Sequence, residues 1–159
     1  HSNIYAYRFR WGTNSSVTDG FYSRYVGAFH GASKDFLRGI YKNNYSDYSP
    51  NAIAASNKPG RVALTTLMQK YFTNFLASGN PNGSSLANWG TWNNASGAQK
   101  IMIFDADSTK STSGMSSEFY DEMGTFSQMR ANLTKSEYNI LVKSLFADRF
   151  FMPAVVPEY

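Results

Sequence analysis

Two histidines, His1 and His30, are all the imidazole this chain offers, and it has no cysteine. His30 has the more suggestive setting, Gly27-Ala-Phe-His-Gly31, where a run of small residues presents one aromatic ring beside the imidazole. A glycine-flanked loop histidine is where a general base often sits in α/β proteins, because imidazole titrates near neutrality and can take and return a proton. The competing reading is a buried imidazole held by a backbone carbonyl, and spacing alone leaves both open. A base also needs a nucleophile. Neither a G-x-S-x-G elbow nor an H-G-G-G oxyanion loop occurs in these residues.

With its amine and imidazole, His1 could join His30 in a T-shaped copper site of the kind used for oxidative polysaccharide cleavage, but that chemistry sits on a β-sandwich, which the helical periodicity below opposes. Asp105 and Asp107 are spaced like a carboxylate pair; the plainer reading ends a strand on one and exposes the other. Glu118, Asp121 and Glu122 read as the acidic first turn of a helix, with metal binding as the alternative. Trp89 and Trp92 lie in an Asn-rich loop and could stack on sugars, although packing on the body of the domain is the simpler role.

These residues need a scaffold. In "NIYAYRFRWG", Tyr5, Tyr7, Phe9 and Trp11 alternate with Ile4, Ala6, Arg8 and Arg10, the period of a strand. The next stretch is broken by Gly and small polar residues, so it predicts a loop with a brief extended piece near Tyr25 to Phe29, placing His30 in a turn after extended chain. From Arg61 to Ser78, Leu64, Leu67, Met68, Tyr71, Phe72, Phe75 and Leu76 recur at three and four, the mark of one apolar helix face. Asn57 and Pro59 suit its start and Gly79-Asn-Pro its stop. "KIMIFD" (Lys100 to Asp105) predicts a short strand followed by a Ser/Thr-rich linker. A helix is expected from Glu118 to Arg130 with Phe119, Met123 and Phe126 on one side. Thr134-Lys-Ser-Glu137 matches a capping box, opening a last helix through Tyr138, Leu141, Val142, Leu145 and Arg149 before a Pro-bearing tail. Strands separated by long helices point to an α/β arrangement, read as one unit over residues 1–159.

The 159 residues include 12 Phe, 11 Tyr and 3 Trp, with 16% charged residues, a globular composition. A net charge of +4 without any basic run gives no nucleic-acid stripe and no polybasic anchor. No apolar run has the length of a transmembrane segment. Five Asn-x-Ser/Thr sequons, at Asn14, Asn44, Asn82, Asn94 and Asn132, favour a secreted chain and are the candidate glycan sites.

"NIYAYRFRWG", "GAFHG", "LMQKYFTNFLASGNPNG" and "IMIFD", in that order, resemble the C-terminal part of the type-B carboxylesterase/lipase family, which includes cholinesterases and fungal lipases. The likeness spans about residues 3 to 105, and Tyr71-Phe-Thr-Asn-Phe75 through Gly79-Asn-Pro-Asn82 is its most specific piece. The resemblance implies the C-terminal portion of an α/β-hydrolase fold, a few strands of its central sheet with their packing helices. It places the family's H-G-x-E-L-x-F on His30, Gly31, Ala32, Ser33, Lys34, Asp35 and Phe36, making His30 the base of a Ser-His-Glu triad. The family's acid three residues on is Ser33 here, and its aliphatic neighbour is Lys34. Nucleophile, glutamate and oxyanion hole precede the histidine in this fold, so the resemblance implies that they lie on an N-terminal large chain, the expected partner in a heterodimer. Also implied are a small ester or lipid substrate, no metal and no organic cofactor, with Phe29 the one residue nominated to touch substrate. The non-enzymatic alternative is a catalytically inactive, cholinesterase-like interaction domain.

Overall fold

The computed structural model describes residues 3–41, 52–118 and 122–146, which fall into two compact units divided after Glu118. The first is a mixed α/β unit. Its three-stranded sheet has the order β1-β2-β3, with β1 (Ala6–Phe9) parallel to β2 (Ile101–Phe104) and β3 (Gly114–Ser116) antiparallel to β2. A parallel pair requires a crossover, and the chain supplies it with α1 (Ala32–Arg38) and α2 (Lys58–Ser78).

β1 is shorter than the alternating sequence predicts, because after Arg10 donates its N–H to the Phe104 carbonyl the chain turns at Trp11 and Gly12. The alternation still sorts the side chains. Tyr5, Phe9 and Trp11 join a core with Phe36, Leu64, Met68, Tyr71, Trp89 and Phe104, while Tyr7 sets its ring edge-on to Phe72 and Phe104. On the other side, Arg10 and Arg8 reach the Glu118 carboxylate at 2.7 and 3.4 Å.

α2 follows its periodicity, with Leu64, Met68 and Tyr71 buried and Phe75 and Leu76 at the exposed rim. Asn57 stands at its N-cap, Pro59 lies in the first turn, and Gly79 closes it in the left-handed region at φ 73°, its N–H on the Phe75 carbonyl. The buried Asn57 side chain leaves the helix end alone. It accepts the Ala54 N–H and donates to the Val17 and Ala52 carbonyls, tying the loop after β1 to the foot of α2. Tyr41 covers the same region, its ring 4.5 Å from the Arg61 guanidinium and its hydroxyl bonded to Thr65.

The Asn80-Pro-Asn82 turn does the work its sequence suggests. Asn82 clasps Trp89, accepting its N–H at 2.6 Å and donating to its carbonyl at 3.0 Å, and the buried indole then donates to the Ala6 carbonyl in β1. The loop is polar on the outside and delivers one ring to the sheet.

Two expectations fail in this unit. Tyr22–Val26 is a π-helical turn, so the segment before His30 is not extended. The Ser/Thr-rich stretch after β2 is no linker; it builds a hairpin whose return strand is β3. Its hydroxyls close the turn: Ser111 and Ser113 donate to the Asp105 carbonyl, and Asp107 accepts from the Thr109 and Lys110 N–H groups.

The second unit contains α3 (Glu122–Asn132) and α4 (Lys135–Phe146). Phe126, Tyr138 and Val142 form its core with Met129 and Leu133 against them. The capping box forms as expected: Thr134 Oγ1 accepts the Glu137 N–H, and the Glu137 carboxylate accepts the Thr134 N–H at 2.8 Å. Leu141 departs from the expected face and is exposed. Glu118, where the helix is predicted to start, is not helical and binds the two arginines; Phe119 and Asp121, Arg149 and the closing tail lie outside the described residues.

Candidate functional site

The connection leaving the C-terminal end of β1 carries His30. After Trp11 it runs through an Asx turn at Asn14, where the side-chain oxygen accepts both the Ser16 N–H and its hydroxyl, then enters the π-helical turn. Tyr22 anchors that turn. It is 2% exposed, its N–H donates to the Asp19 carboxylate at 2.7 Å, and its ring lies so close to Gly12 that a β-carbon there would overlap it. Gly27, at φ 55°, ends the turn with its N–H on the Tyr22 carbonyl, and Ala28 and Phe29 lead into His30.

His30 occupies a turn and is exposed, so the buried, carbonyl-held imidazole is overturned. Gly31 follows at φ 84°, a left-handed residue at the N-cap of α1, and this conformation is why glycine suits the position after the histidine. α1 is fixed from beneath by Phe36, whose ring packs against Phe9, Trp11 and Tyr41. Of the motif positions, Ser33 is half-buried, Lys34 exposed and Asp35 buried, leaving Asp35 as the carboxylate α1 carries.

Burial, with the Asp19 carboxylate second, pushes the Tyr22 phenol up to about 12. Folding therefore favours the neutral phenol. That contribution is complete below the ordinary tyrosine value near 10 and is lost as pH rises through 12. Tyr22→Phe is expected to remove about 2 to 3 kcal/mol of the stability lost between pH 10 and 12, read as a shallower fall of Tm in that window. Tyr41 and Tyr71, also pushed up by burial, leave a residual slope. Parallel losses in the two proteins would exclude Tyr22 as the titrating group.

The remaining candidates separate. Asp105 and Asp107 are both half-buried after β2; burial pushes the Asp105 carboxyl up, whereas the Thr109 hydroxyl and the Thr109 and Lys110 N–H groups hold that of Asp107 down. Both serve the hairpin. Trp89 is core; Trp92 is half-buried, its indole N–H donating to the Asn94 side-chain oxygen and its ring 5.7 Å from the Lys100 ammonium. An open cleft lies between Tyr5, Tyr7, Phe72, Phe75 and Trp89, and His30 is not on its wall. Among the described residues no group of three metal-ligating side chains converges, and no helix is long and apolar enough to cross a membrane. His1 lies outside the described residues, as does Asn44. Asn14, Asn94 and Asn132 are exposed, while Asn82 spends its amide on Trp89 and Asn80.

Sequence reasoning missed Phe21 and Tyr25, two large rings left in solvent on the turn before His30. Their spacing of four with Phe29 was the available signal. The chain matches no known protein-family profile and no curated protein.

Proposed function

We propose that the chain is the histidine-bearing C-terminal part of a serine carboxylic ester hydrolase of the type-B carboxylesterase/lipase kind. The observation that carries this reading is the placement of His30, an exposed imidazole in a glycine-flanked turn reached from the C-terminal end of a sheet strand, where open α/β sheets gather their chemistry. Two further features support it. β1 lies at the edge of the described sheet, leaving one side for further strands, and Tyr7 within it and Ile4 just before it are exposed. The Gly79-Asn-Pro-Asn82 turn seats Trp89 against β1, giving the most specific piece of the resemblance a structural purpose.

In this reading the imidazole takes the proton of a serine on the N-terminal chain as that serine attacks the ester carbonyl, then returns it to the leaving alkoxide. A glutamate there orients the ring, and backbone amides hold the tetrahedral oxyanion. Secretion and glycans at the exposed sequons belong to the same proposal. Native mass spectrometry followed by a p-nitrophenyl acetate assay on the same sample tests it: a co-purifying N-terminal chain and ester turnover are expected. A folded chain that runs alone would remove the proposal.

A second reading, a catalytically inactive interaction domain, is favoured by Ser33 standing where the family carries an acid. Association with the N-terminal chain without turnover would select it.

A further inference from the structure

Asn82-Gly83 is the only Asn-Gly pair in the chain, the dipeptide in which an asparagine side chain is most open to attack by the next backbone nitrogen, because glycine sets no β-carbon in the way. Asparagine is thermolabile, and this one holds a structural post. Its Nδ2 donates to the Asn80 side-chain oxygen and to the Trp89 carbonyl, each at 3.0 Å, and its Oδ1 accepts the Trp89 N–H at 2.6 Å. Both amide hydrogens are used. Gly83 is pinned as well: its carbonyl accepts the Leu86 N–H at 3.2 Å, and the Asn74 amide stands where a Gly83 β-carbon would be, itself donating to the Pro81 carbonyl at 3.1 Å. What the clasp holds is Trp89, a buried ring whose indole N–H donates to the Ala6 carbonyl.

We propose that Asn82 is a site of spontaneous hydrolytic deamidation gated by its own clasp: closed, it is protected; opened, it converts; and the product does not close again. In the reaction the Gly83 nitrogen bonds to Cγ of Asn82 and gives up its proton to Nδ2, which leaves as ammonia; water then adds to either carbonyl of the cyclic imide, giving aspartate or isoaspartate. Attack requires the side chain to turn back toward its own backbone, so the bonds to Asn80 and Trp89 must break first. The closed form is inert for that reason. After conversion an oxygen stands where Nδ2 was, set against the Trp89 carbonyl and the Asn80 side-chain oxygen, acceptor against acceptor with no proton between them. Each opening of the loop thus risks a permanent loss of the Trp89 seat. The inference is independent of the function proposed above.

The test uses the full chain made in a bacterial cytosol, where the Asn82-Gly-Ser84 sequon stays unmodified, held at mildly alkaline pH with and without denaturing guanidinium chloride. Peptide mapping by mass spectrometry reads the change from amide to acid at Asn82. Conversion is expected in denaturant, and about tenfold or more slowly without it, as for a reaction confined to a minor open state. Asn80→Ala, which removes one acceptor from Nδ2, should speed native conversion about fivefold, the factor for one hydrogen bond. Asn82→Asp, which makes the product directly, should unfold at lower denaturant than wild type. A chain that fails to fold with this change is the extreme of that loss, and the wild-type rates then decide. Equal rates with and without denaturant, or an Asn80→Ala rate no faster than that of wild type, would show that the clasp is no gate. Asn82 left intact in denaturant would show that it is not the site, and a wild-type midpoint for Asn82→Asp would show that the product closes again. Each of these results overturns the inference.

Discussion

Under the proposed function, His30→Ala is expected to lower kcat for ester hydrolysis about 10⁴-fold, with stability changed by less than about 0.5 kcal/mol. The separation of the two effects follows from where the side chain lies. His30 is exposed in a turn, the fold at this point is carried by Phe36 and Tyr22, and the backbone requirement falls on Gly31. Losing the imidazole therefore opens no cavity and frees no buried partner. If the ring is the base, the attacking serine keeps its proton and the leaving alkoxide has no donor, while oxyanion hole and substrate contacts persist. The loss should appear in kcat, and KM should stay within about threefold. The check is steady-state kinetics on the completed hydrolase beside a denaturant titration of the same variant. Turnover within about tenfold of wild type would exclude His30 from the reaction.

Gly60→Ala is expected to destabilise the first unit by about 3 kcal/mol or more, the upper range for overpacking. Helix propensity argues the opposite sign, since replacing a helical glycine with alanine ordinarily gains about 0.5 to 1 kcal/mol. Packing decides the matter. The first turn of α2 lies directly on the β2–β3 hairpin, where the Gly60 N–H donates to the Ser108 carbonyl at 3.1 Å, and an added β-carbon would be driven into the Asp107 carbonyl oxygen. That obstacle is backbone, held by the Asp107 turn, so it cannot swing aside as a side chain would. Gly79→Ala is the instructive contrast: nothing crowds its β-carbon, and only the left-handed φ of 73° is penalised, which costs about 1 kcal/mol. Urea unfolding of the two variants should show the midpoint of Gly60→Ala well below that of Gly79→Ala. The reverse order would mean that helix and hairpin are not in contact at Gly60.

Local signals carried much of the architecture. α2 was legible because propensity, period and both ends agreed: Leu64, Met68 and Tyr71 on one face, Pro59 at the start and Gly79 at the stop. α4 was legible from Thr134 and Glu137, whose reciprocal bonds depend on four consecutive residues. β3 was not, because Gly114–Ser116 has no apolar period and exists by pairing with β2, a partner it meets through a turn built from serine, threonine and aspartate. The π-helical turn was hidden for a related reason: Gly20 and Gly27 bracket the segment as a loop would, and it is the burial of Tyr22 and its N–H bond to Asp19 that coil it. Around the candidate site, sequence alone could place His30 in a turn but not decide its burial, which depends on how Phe36 and Trp11 pull α1 onto the core and leave the residue before it outside. It also undervalued Phe21 and Tyr25, since aromatic residues are expected inside and only the fold shows which ones stay out.

The division after Glu118 has an optical consequence. Trp11, Trp89 and Trp92 all belong to the first unit, and residues 119–159 contain no tryptophan. Emission from the indoles therefore originates in the first unit, while α3 and α4 contribute to the peptide dichroism and carry no indole of their own. A melt followed by both signals thus separates the two units without any label: coincident curves mean that they come apart as one cooperative body, and a dichroic step without a matching change in emission is the unfolding of the helical pair by itself.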